Sequence, residues 1–389
     1  MKVNRLKKLL YLFQLEEYST ERFDSWLNKN SIEHLEERKN KLRFTLRAIL
    51  IFGLSLPLSL FLSEEKSIKF ADRTARLPSK MVEKIIILAA RAKLNIFQTQ
   101  TRIVITGSYG KTTFKEMLSS ILEAKYSVFK TSGNINTEIG IALEILKNLK
   151  KNQKIMVIEA GAYQKGEIKN ICRLVKPNFG VITVIGWMHL ERFMNIDNIR
   201  STKFEIAEFI RKKENFFYPL QDHQFINFEA TIRQIAARLL IPKSIIKEKI
   251  KNFDSPAHRL TINELNKRMV LLDDTYNSNP LGFQKALKKL EQYREFQKIV
   301  VTPGMIEFGA QQDSMNKTAG FLSAKTADIL VIIGQTNQES LLNGAKKLKK
   351  KSLKIILLGK NDRYEEKISS FLKPPTVILL ENDLPDHYF

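Results

Sequence analysis

The feature that most constrains the fold of this chain is a glycine corner between a β-branched run and a segment with helical periodicity. The β-branched run, residues 103–105, leads into Gly107-Ser108-Tyr109-Gly110-Lys111-Thr112-Thr113. A strand, a tight turn and a helix N-terminus make an anion site, because the backbone N–H groups and the helix dipole point at the same place. Lys111 adds a positive charge, and the Thr112 hydroxyl can hold a metal ion. The corner therefore predicts phosphate binding at residues 107–113.

Length and charge limit the classes of protein to consider. A chain of 389 residues with 43% hydrophobic content can bury the cores of two or three domains. Its formal charge of +23 suits nucleic acid, anionic lipid or a phosphorylated substrate. The sequence carries no RNA- or DNA-binding signature, so we expect no nucleic-acid partner. The lone Cys172 excludes an internal disulfide and a cysteine-rich metal site, which fits a reducing compartment.

The first 98 residues predict a helical N-terminal region that contains a membrane-type segment. Apolar residues with helical spacing form a stripe near the start, at Leu6, Leu9, Leu10 and Phe13. Residues 44–62 then form an apolar run in which Arg47 is the only charge. This length is at the lower limit for a spanning helix.

Basic residues flank the apolar run on both sides, so a single span would export a basic arm against the positive-inside tendency. A re-entrant or interfacial segment, kinked at Pro57, would leave both arms in the cytoplasm. A buried core helix is the alternative, because Gly53 and Pro57 interrupt the run. We expect association with the cytoplasmic face of a membrane.

From residue 99 onward the pattern predicts two α/β domains. Apolar β-rich runs at 103–105, 155–158 and 180–185 alternate with helical stretches, as a mostly parallel, covered sheet requires. A linker near Asp254-Ser255-Pro256 separates this central domain, residues 99–255, from a smaller Rossmann-like domain, residues 256–389. The predicted strands of the second domain are 269–272, 298–302, 329–334, 353–358 and 376–380.

Five polar stretches follow predicted strands or open helices, where open α/β sheets place their ligands. They are Gly133–Gly140 with Asn134, Glu159 at a strand tip, His189 after the next strand, Lys203 in a helical segment, and Asp273–Pro280 with Asp274 and Asn277. Each has an ordinary alternative: a capped helix, a structural histidine, an exposed lysine or a turn. A bare carboxylate at the end of a buried strand favours a metal ion nearby.

Together, and in this order, these stretches resemble the Mur ligase family over roughly residues 100–310. The phosphate loop, the G-N-x-N-x-E-I-G segment at 133–140, the E-x-G-A strand end at 159–162 and the H-L-E segment at 189–191 all match. The H-R pair that begins the last domain matches His258-Arg259, and the D-D-S-Y-N-A-N-P motif is nearly intact at 273–280. The likeness is greatest to the branch of the family that adds D-alanyl-D-alanine.

The resemblance implies an ATP-dependent ligase that activates a carboxylate as an acyl phosphate and then forms an amide. It assigns the phosphates to the loop and Lys111, magnesium to Thr112, Glu159 and His189, and a second metal to a carbamylated Lys203. Arg259 and Lys111 would offset the developing negative charge. The other expected nucleotide contacts are Asn134, Asp274, Asn277 and, for adenine, Asn227, in a helix start that matches the family only in part. The expected substrates are a small or lipid-linked cell-wall precursor and an amino acid or dipeptide.

Four departures from the family bear on the substrate. Helices and the apolar run replace the UDP-binding domain, and the central domain is short between Lys203 and His223. Gly304 stands where an aspartate is usual, and residues 380–385 lack the K-G-S segment. A poly-γ-glutamate-type synthase and a non-catalytic membrane scaffold therefore stay open as alternatives. The D-D-x-Y-N-x-N-P motif favours the D-alanyl-D-alanine branch over the synthase, and retention of Lys111, Glu159, His189 and Lys203 argues against the scaffold.

Overall fold

The computed structural model describes residues 2–37, 41–97, 101–254, 256–266, 268–276, 278–350, 352–359 and 362–388. The chain forms two compact units, Met1–Ile85 with Leu384–Phe389, and Ile86–Asp383. The division falls inside one long helix. The predicted domain limits at 98/99 and 255/256 fall on residues outside the described part of the chain, and stay predictions.

The first unit contains helices α1 (Lys2–Leu15), α2 (Thr20–Lys29) and α3 (Leu46–Leu58), and the first half of α4 (Glu64–Phe97). The predicted apolar stripe of α1 is confirmed, because its four residues are all fully buried in one core. The chain's C-terminal segment packs here too. The Tyr11 hydroxyl donates to Asp386 at 2.7 Å, and Trp26 Nε1 donates to the carbonyl oxygen of His387 at 2.7 Å.

The apolar run at 44–62 forms α3 and the turn after it. One face of α3, with Ala48, Ile51 and Ser55, is buried in the core of the first unit, and the other is exposed, so the alternative of a buried core helix holds for one face only. Pro57 lies in the last turn, where the helix ends. Among the described helices, none combines the length and the apolarity needed to cross a bilayer.

The central part of the second unit is a parallel sheet with strand order β2-β3-β1-β4-β5. The strands are β1 (Thr101–Thr106), β2 (Val128–Lys130), β3 (Ile155–Glu159), β4 (Phe179–Ile182) and β5 (Phe216–Phe217). The helices are α5 (Lys111–Leu122), α6 (Glu138–Asn148), α7 (Glu167–Val175), α8 (Leu190–Phe193), α9 (Ile196–Phe204), α10 (Phe228–Arg238) and α11 (Lys243–Lys251). Both faces of β1 are buried, with Val104 in one core and Ile103 and Ile105 in another. The predicted covered parallel sheet is therefore confirmed.

The strand predicted over 180–185 is too long, because β4 ends at Ile182. The backbone carbonyl groups of the next three residues accept hydrogen bonds from loop residues instead of from a neighbouring strand. The Thr183 carbonyl accepts from the N–H of Ile226, the Val184 carbonyl from that of Ser108, and the Ile185 carbonyl from that of His223. These residues are buried and β-branched, so composition alone cannot distinguish them from a strand.

The last part of the second unit is a six-stranded sheet of order β10-β9-β8-β11-β7-β6, as far as the described residues show. Its strands are β6 (Thr261–Asn266), β7 (Met269–Asp274), β8 (Gln297–Thr302), β9 (Ile329–Ile333), β10 (Lys354–Leu358) and β11 (Thr376–Glu381). Its helices are α12 (Pro280–Glu291), α13 (Gln312–Thr326), α14 (Gln338–Lys346) and α15 (Tyr364–Ile368). The five predicted strands are confirmed. The antiparallel edge strand β6 escapes prediction because it is polar and almost wholly exposed.

A carboxyl pair lies at the carboxyl ends of β7 and β11, where the half-buried Asp274 and the buried Glu381 are register partners. Glu381 is fully buried and accepts a hydrogen bond from the Ser278 hydroxyl. Burial, followed by the charge of Asp274, raises the pKa of Glu381 well above its usual range, and burial also raises the pKa of Asp274. Two neighbouring carboxylates in a site that water hardly reaches cannot both ionise cheaply, so we expect Glu381 to hold a proton that faces Asp274.

Gly344→Ala should destabilise the second unit, because α13 and α14 approach too closely for a side chain. An added Cβ at Gly344 would lie 1.9 Å from the carbonyl oxygen of Lys317. Overpacking of this kind costs about 1–3 kcal/mol, measurable by urea unfolding. Gly53→Ala is the matched control, because nothing lies within 4 Å of its added Cβ, and it should be neutral or slightly stabilising. A Gly344→Ala protein as stable as wild type would contradict the close packing.

Glu381→Gln should raise the melting temperature more at pH 8 than at pH 5. A raised carboxyl pKa gives stability that is present below the unfolded value and is lost as pH rises through the folded value. The amide of glutamine can donate a hydrogen bond to Asp274, and it does not titrate. We expect a gain of roughly 2 °C or more at pH 8 and almost none at pH 5. The exposed Glu295→Gln should show no such pH dependence, and an equal effect of Glu381→Gln at both pH values would refute the proton on Glu381.

Candidate active site

The glycine corner has the backbone of a phosphate cradle. Gly107 has φ 138° and Gly110 has φ 75°, values that side chains rarely adopt, and α5 begins at the next residue. A Cβ on Gly107 would also lie 2.1 Å from Thr183 Oγ1. That hydroxyl donates to the carbonyl oxygen of Tyr109 at 2.5 Å and so fixes the turn. The free N–H groups at the start of α5 face the space beside the loop.

Lys111 is buried against the glycine corner, residues 107–113. Its Nζ donates to the carbonyl oxygens of Gly107 at 2.9 Å and Ser108 at 3.3 Å. Burial lowers the pKa of Lys111, the nearby Arg259 lowers it further, and Glu159 opposes both. The amino group is therefore poised for an anionic ligand that would restore its charge balance.

Glu159, at the end of β3, is the acceptor at the centre of the site. Its carboxylate receives a hydrogen bond from the Thr112 hydroxyl at 2.7 Å and another from Asn136 Nδ2 at 3.3 Å. Lys115 Nζ lies 3.9 Å away and donates to the carbonyl oxygens of Thr131 and Gly133. Lys115 thereby joins Glu159 to the loop at 133–140.

The oxygen atoms of Glu159 and Thr112 suit a magnesium ion, which prefers carboxylate and hydroxyl oxygens together with phosphate oxygens. No group of three or more His, Cys, Asp or Glu side chains within the described ranges could hold a metal by itself. The residues present therefore fit a magnesium ion that arrives with a phosphate and completes its coordination from it.

His189 follows β4 and reaches the same space in a left-handed backbone conformation, φ 52°. Its ring lies 4.4 Å from the ring of Tyr163, and its Nδ1 contacts the Glu307 carboxylate. The N–H of Leu190 donates to the carbonyl oxygen of Glu307 at 3.0 Å. The side chain of Glu307 therefore orients His189 from the last domain.

Lys203 lies in α9 and is 2% exposed, so the alternative of an exposed helical lysine is wrong. Burial, then the charge of Lys111, lowers the pKa of Lys203 to about 7, against the opposing charges of Glu167 and Glu205. Its amino group lies 5.9 Å from the ring centroid of Phe193. A lysine with this pKa has a substantial neutral fraction at physiological pH, and only a neutral amine reacts with CO₂.

Arg259 contacts the phosphate loop from a segment that lies far along the chain. Its Nη2 donates to Thr112 Oγ1 at 3.1 Å, and its guanidinium lies 4.1 Å from the centroid of the Tyr276 ring. The preceding His258 contacts Asp273 through Nδ1 at 2.7 Å. The H-R pair and the D-D-T-Y motif thus hold each other in place, with the arginine aimed at the cradle.

Two adjoining cavities result. The first is polar, about 150 Å³, and lined by Ser108, Tyr109, Gly110, Lys111, Thr112, Asn134, Asn136, Glu159, Tyr163, Met188, His189, Arg259, Tyr276 and Asn279. The second is more apolar, about 460 Å³, and includes Thr113, Phe225, Phe228, Leu260, Asp274 and Lys285 with Tyr109 and Arg259. A polar pocket beside an aromatic one fits the phosphates and the base of a nucleotide.

Most predicted site residues meet in these cavities. Nine line the polar cavity, namely Ser108, Tyr109, Gly110, Lys111, Thr112, Asn134, Glu159, His189 and Arg259, and Thr113 and Asp274 line the apolar one. Gly107 shapes the loop. Lys203 lines neither cavity. Asn227 caps α10, accepting from the N–H of Ala230 at 2.9 Å. Asn277 lies outside the described residues.

Some residues of the site were not predicted from the sequence. Asn136, Tyr276 and Asn279 stand inside recognised motifs, so their spacing could have indicated them. Tyr163 and Lys115 carry no such signal, because one follows a motif and the other resembles any helical lysine. Their roles depend on contacts between distant segments, which spacing does not reveal.

Comparison with known proteins agrees with this geometry. Residues 105–254 match the Mur ligase middle domain family. The chain is 26% identical to the UDP-N-acetylmuramoyl-tripeptide--D-alanyl-D-alanine ligase of Bacillus subtilis, over 59% of this chain and 62% of that protein. It is 37% identical to the ligase of the same name from Borreliella burgdorferi, over 40% of this chain and 33% of that one.

The crystal structure of MurF ligase from Thermotoga maritima in complex with ADP has the same fold, with a TM-score of 0.65. The match is 24% identical and covers 77% of this chain and 80% of that one. The chain spans less than two-thirds of the length of the Bacillus and Borreliella relatives. Residues 105–254 match the Mur ligase middle domain, and the predicted resemblance to the Mur ligase family, with likeness to MurF, is confirmed.

Proposed function

We propose that this chain is an ATP-dependent ligase that forms an amide bond through an acyl phosphate. The observation that carries the proposal is the convergence of Lys111, the Thr112–Glu159 pair and Arg259 on one polar cavity. A kinase or simple ATPase needs the loop and a metal ligand, but Arg259 is an added cation supplied by the next domain. Such an arrangement suits a reaction that builds negative charge on a phosphate and a carboxylate at once.

The nucleotide would lie across both cavities. Its phosphates would accept hydrogen bonds from the N–H groups of the 107–113 loop and from Lys111, which would release the carbonyl oxygens of that loop. Its base would enter the apolar cavity beside Phe225 and Phe228. Asn227 is our candidate for a base contact, because its capping bond leaves the amide Nδ2 available. Asn277 and Asn134 are further candidate contacts.

Thr112, Glu159 and His189 would hold magnesium, which supplies charge neutralisation on the transferred phosphoryl group when bound. The remaining catalytic functions belong to the side chains of this protein. Lys111 orients the γ-phosphate, and Arg259 stabilises charge as an acceptor carboxylate oxygen bonds to phosphorus and ADP leaves. An amine then attacks the acyl carbon, phosphate leaves, and the amine loses a proton.

The substrates follow from the named relatives. We propose a carboxylate of a peptidoglycan precursor as acceptor and an amino acid or dipeptide such as D-alanyl-D-alanine as amine. Because ATP is a cytoplasmic nucleotide, we place the reaction in the cytoplasm. A lipid-linked acceptor, which would explain the helical unit at the N-terminus, would bring the enzyme to the inner face of the membrane.

Lys111→Ala should lower Mg-ATP-dependent phosphate release with precursor and D-alanyl-D-alanine by at least about 100-fold, as loss of a transition-state contact does. The reason is that no other amino group lines the polar cavity, as far as the described residues show. Exposed Lys347→Ala should keep wild-type turnover. Turnover of Lys111→Ala within a few-fold of wild type would refute the site. Release in wild type with no amine required would favour an ATPase instead.

Carbamylation of Lys203 should be visible directly. With ¹³C-bicarbonate, wild-type protein should give a ¹³C carbamate resonance, because burial keeps the amine of Lys203 neutral and reactive. Lys203→Arg should lack that resonance and lose activity that bicarbonate cannot restore, whereas exposed Lys347→Arg should keep both. A carbamate resonance retained in Lys203→Arg, or absent from wild type at saturating bicarbonate, would exclude the modification.

A further inference from the structure

We infer that the outer face of α3, with the turn that follows it, binds the surface of an anionic membrane. This inference rests on the N-terminal unit alone and is independent of the ligase proposal. The outer face carries Leu46, Ile49 and Leu54, which are exposed, while the opposite side of the helix packs in the core. A one-sided helix with apolar residues on its solvent face lacks a partner for that face.

The turn after α3 extends the same apolar surface. Leu60 is 72% exposed, Phe61 is 86% exposed, and Leu62 is also exposed. Turns in water are normally built from polar residues and glycine. Three consecutive large apolar side chains at a turn gain free energy when an apolar phase covers them. We define Leu46, Ile49, Leu54 and residues 60–62 as the apolar face.

The apolar face carries no free charge. Arg47 is the only charged residue between 44 and 62, and its Nη2 lies 2.6 Å from Oδ1 of Asp72. Asp72 is 1% exposed, so this ion pair is turned into the protein. Insertion of the face into a lipid headgroup region therefore desolvates no isolated charge at Arg47.

Basic residues border the apolar face on both sides. Lys41 and Arg43 precede it, and Lys66 and Arg73 follow it. All four are exposed, and no carboxylate in the described ranges forms an ion pair with them. Residues 41–85 include nine Lys or Arg and four Asp or Glu, a net charge of +5. Basic residues near an anionic surface are attracted to it electrostatically.

The charge pattern selects lipid over a second copy of the chain. A two-fold interface brings a patch against itself, so the positive borders would face positive borders and repel. An anionic bilayer complements them. The helix is also too short to span, because its 13 residues extend about 20 Å against a hydrocarbon core of about 30 Å. It would lie in the interface plane, with Phe61 at the depth of the acyl boundary.

The test is co-sedimentation of the full chain with phosphatidylcholine vesicles, with and without phosphatidylglycerol. We expect binding to the anionic vesicles that falls with added salt. The double variant Leu60→Ser/Phe61→Ser should reduce that binding at least tenfold. Leu220→Ser/Leu240→Ser is the matched control, because those leucines are 91% and 72% exposed elsewhere, and it should bind like wild type. Arg43→Gln/Lys66→Gln should weaken binding and flatten its salt dependence.

A second measurement reports the face directly in a folded protein. The emission of Phe61→Trp should shift to the blue on addition of anionic vesicles, and that of Leu240→Trp should not. Failure of folded wild-type chain to bind anionic vesicles would overturn the inference. So would unchanged binding by the serine variant, or self-association that the serine substitutions abolish without any vesicle binding. ATP turnover is scored separately, so loss of the ligase proposal would leave this result standing.

Discussion

The site depends on one hydroxyl group, that of Thr112, which forms hydrogen bonds with two residues far apart in the sequence, Glu159 and Arg259. It donates to Glu159 at the end of β3 and accepts from Arg259 of the last domain. A carboxylate and a guanidinium thus both contact the first turn of α5. These hydrogen bonds fix the position of the Arg259 guanidinium relative to the phosphate loop. They also hold in place residues that line the polar cavity.

A second constraint is the crowding of positive charge beneath that cavity. Lys111 and Lys203 are both buried, and burial lowers the pKa of each. Repulsion between them adds to the effect on Lys203. An anionic ligand at the loop would favour the charged forms of these lysines and offset their repulsion. This electrostatic gain would contribute to the affinity for phosphates. Burial, with this repulsion as a smaller contribution, lowers the pKa of Lys203 to about 7 and leaves a fraction of its amine neutral for reaction with CO₂.

Much of the fold and of the site could be predicted from the sequence, because both follow local chemistry. The loop at 107–113 could be predicted because a β-branched run, a glycine corner and a helix start follow one another in the sequence. Glu159 could be predicted because it is a carboxylate at the end of a buried strand. The end of β4 and the edge strand β6 could not be predicted, since Thr183 bonds to loops far along the chain and β6 has no buried face. The burial of Lys203 likewise depends on tertiary contacts, whereas the cap that Asn227 forms on the N–H of Ala230 is local.

The central claim is that a carboxylate is activated by ATP in the polar cavity. It is tested most directly by following oxygen from the acceptor. With UDP-N-acetylmuramoyl-tripeptide labelled by ¹⁸O in its terminal carboxylate, D-alanyl-D-alanine and Mg-ATP, an acyl phosphate intermediate leaves one carboxylate oxygen on the released phosphate. Mass spectrometry should find one ¹⁸O per phosphate. Phosphate that is released without label would contradict the account.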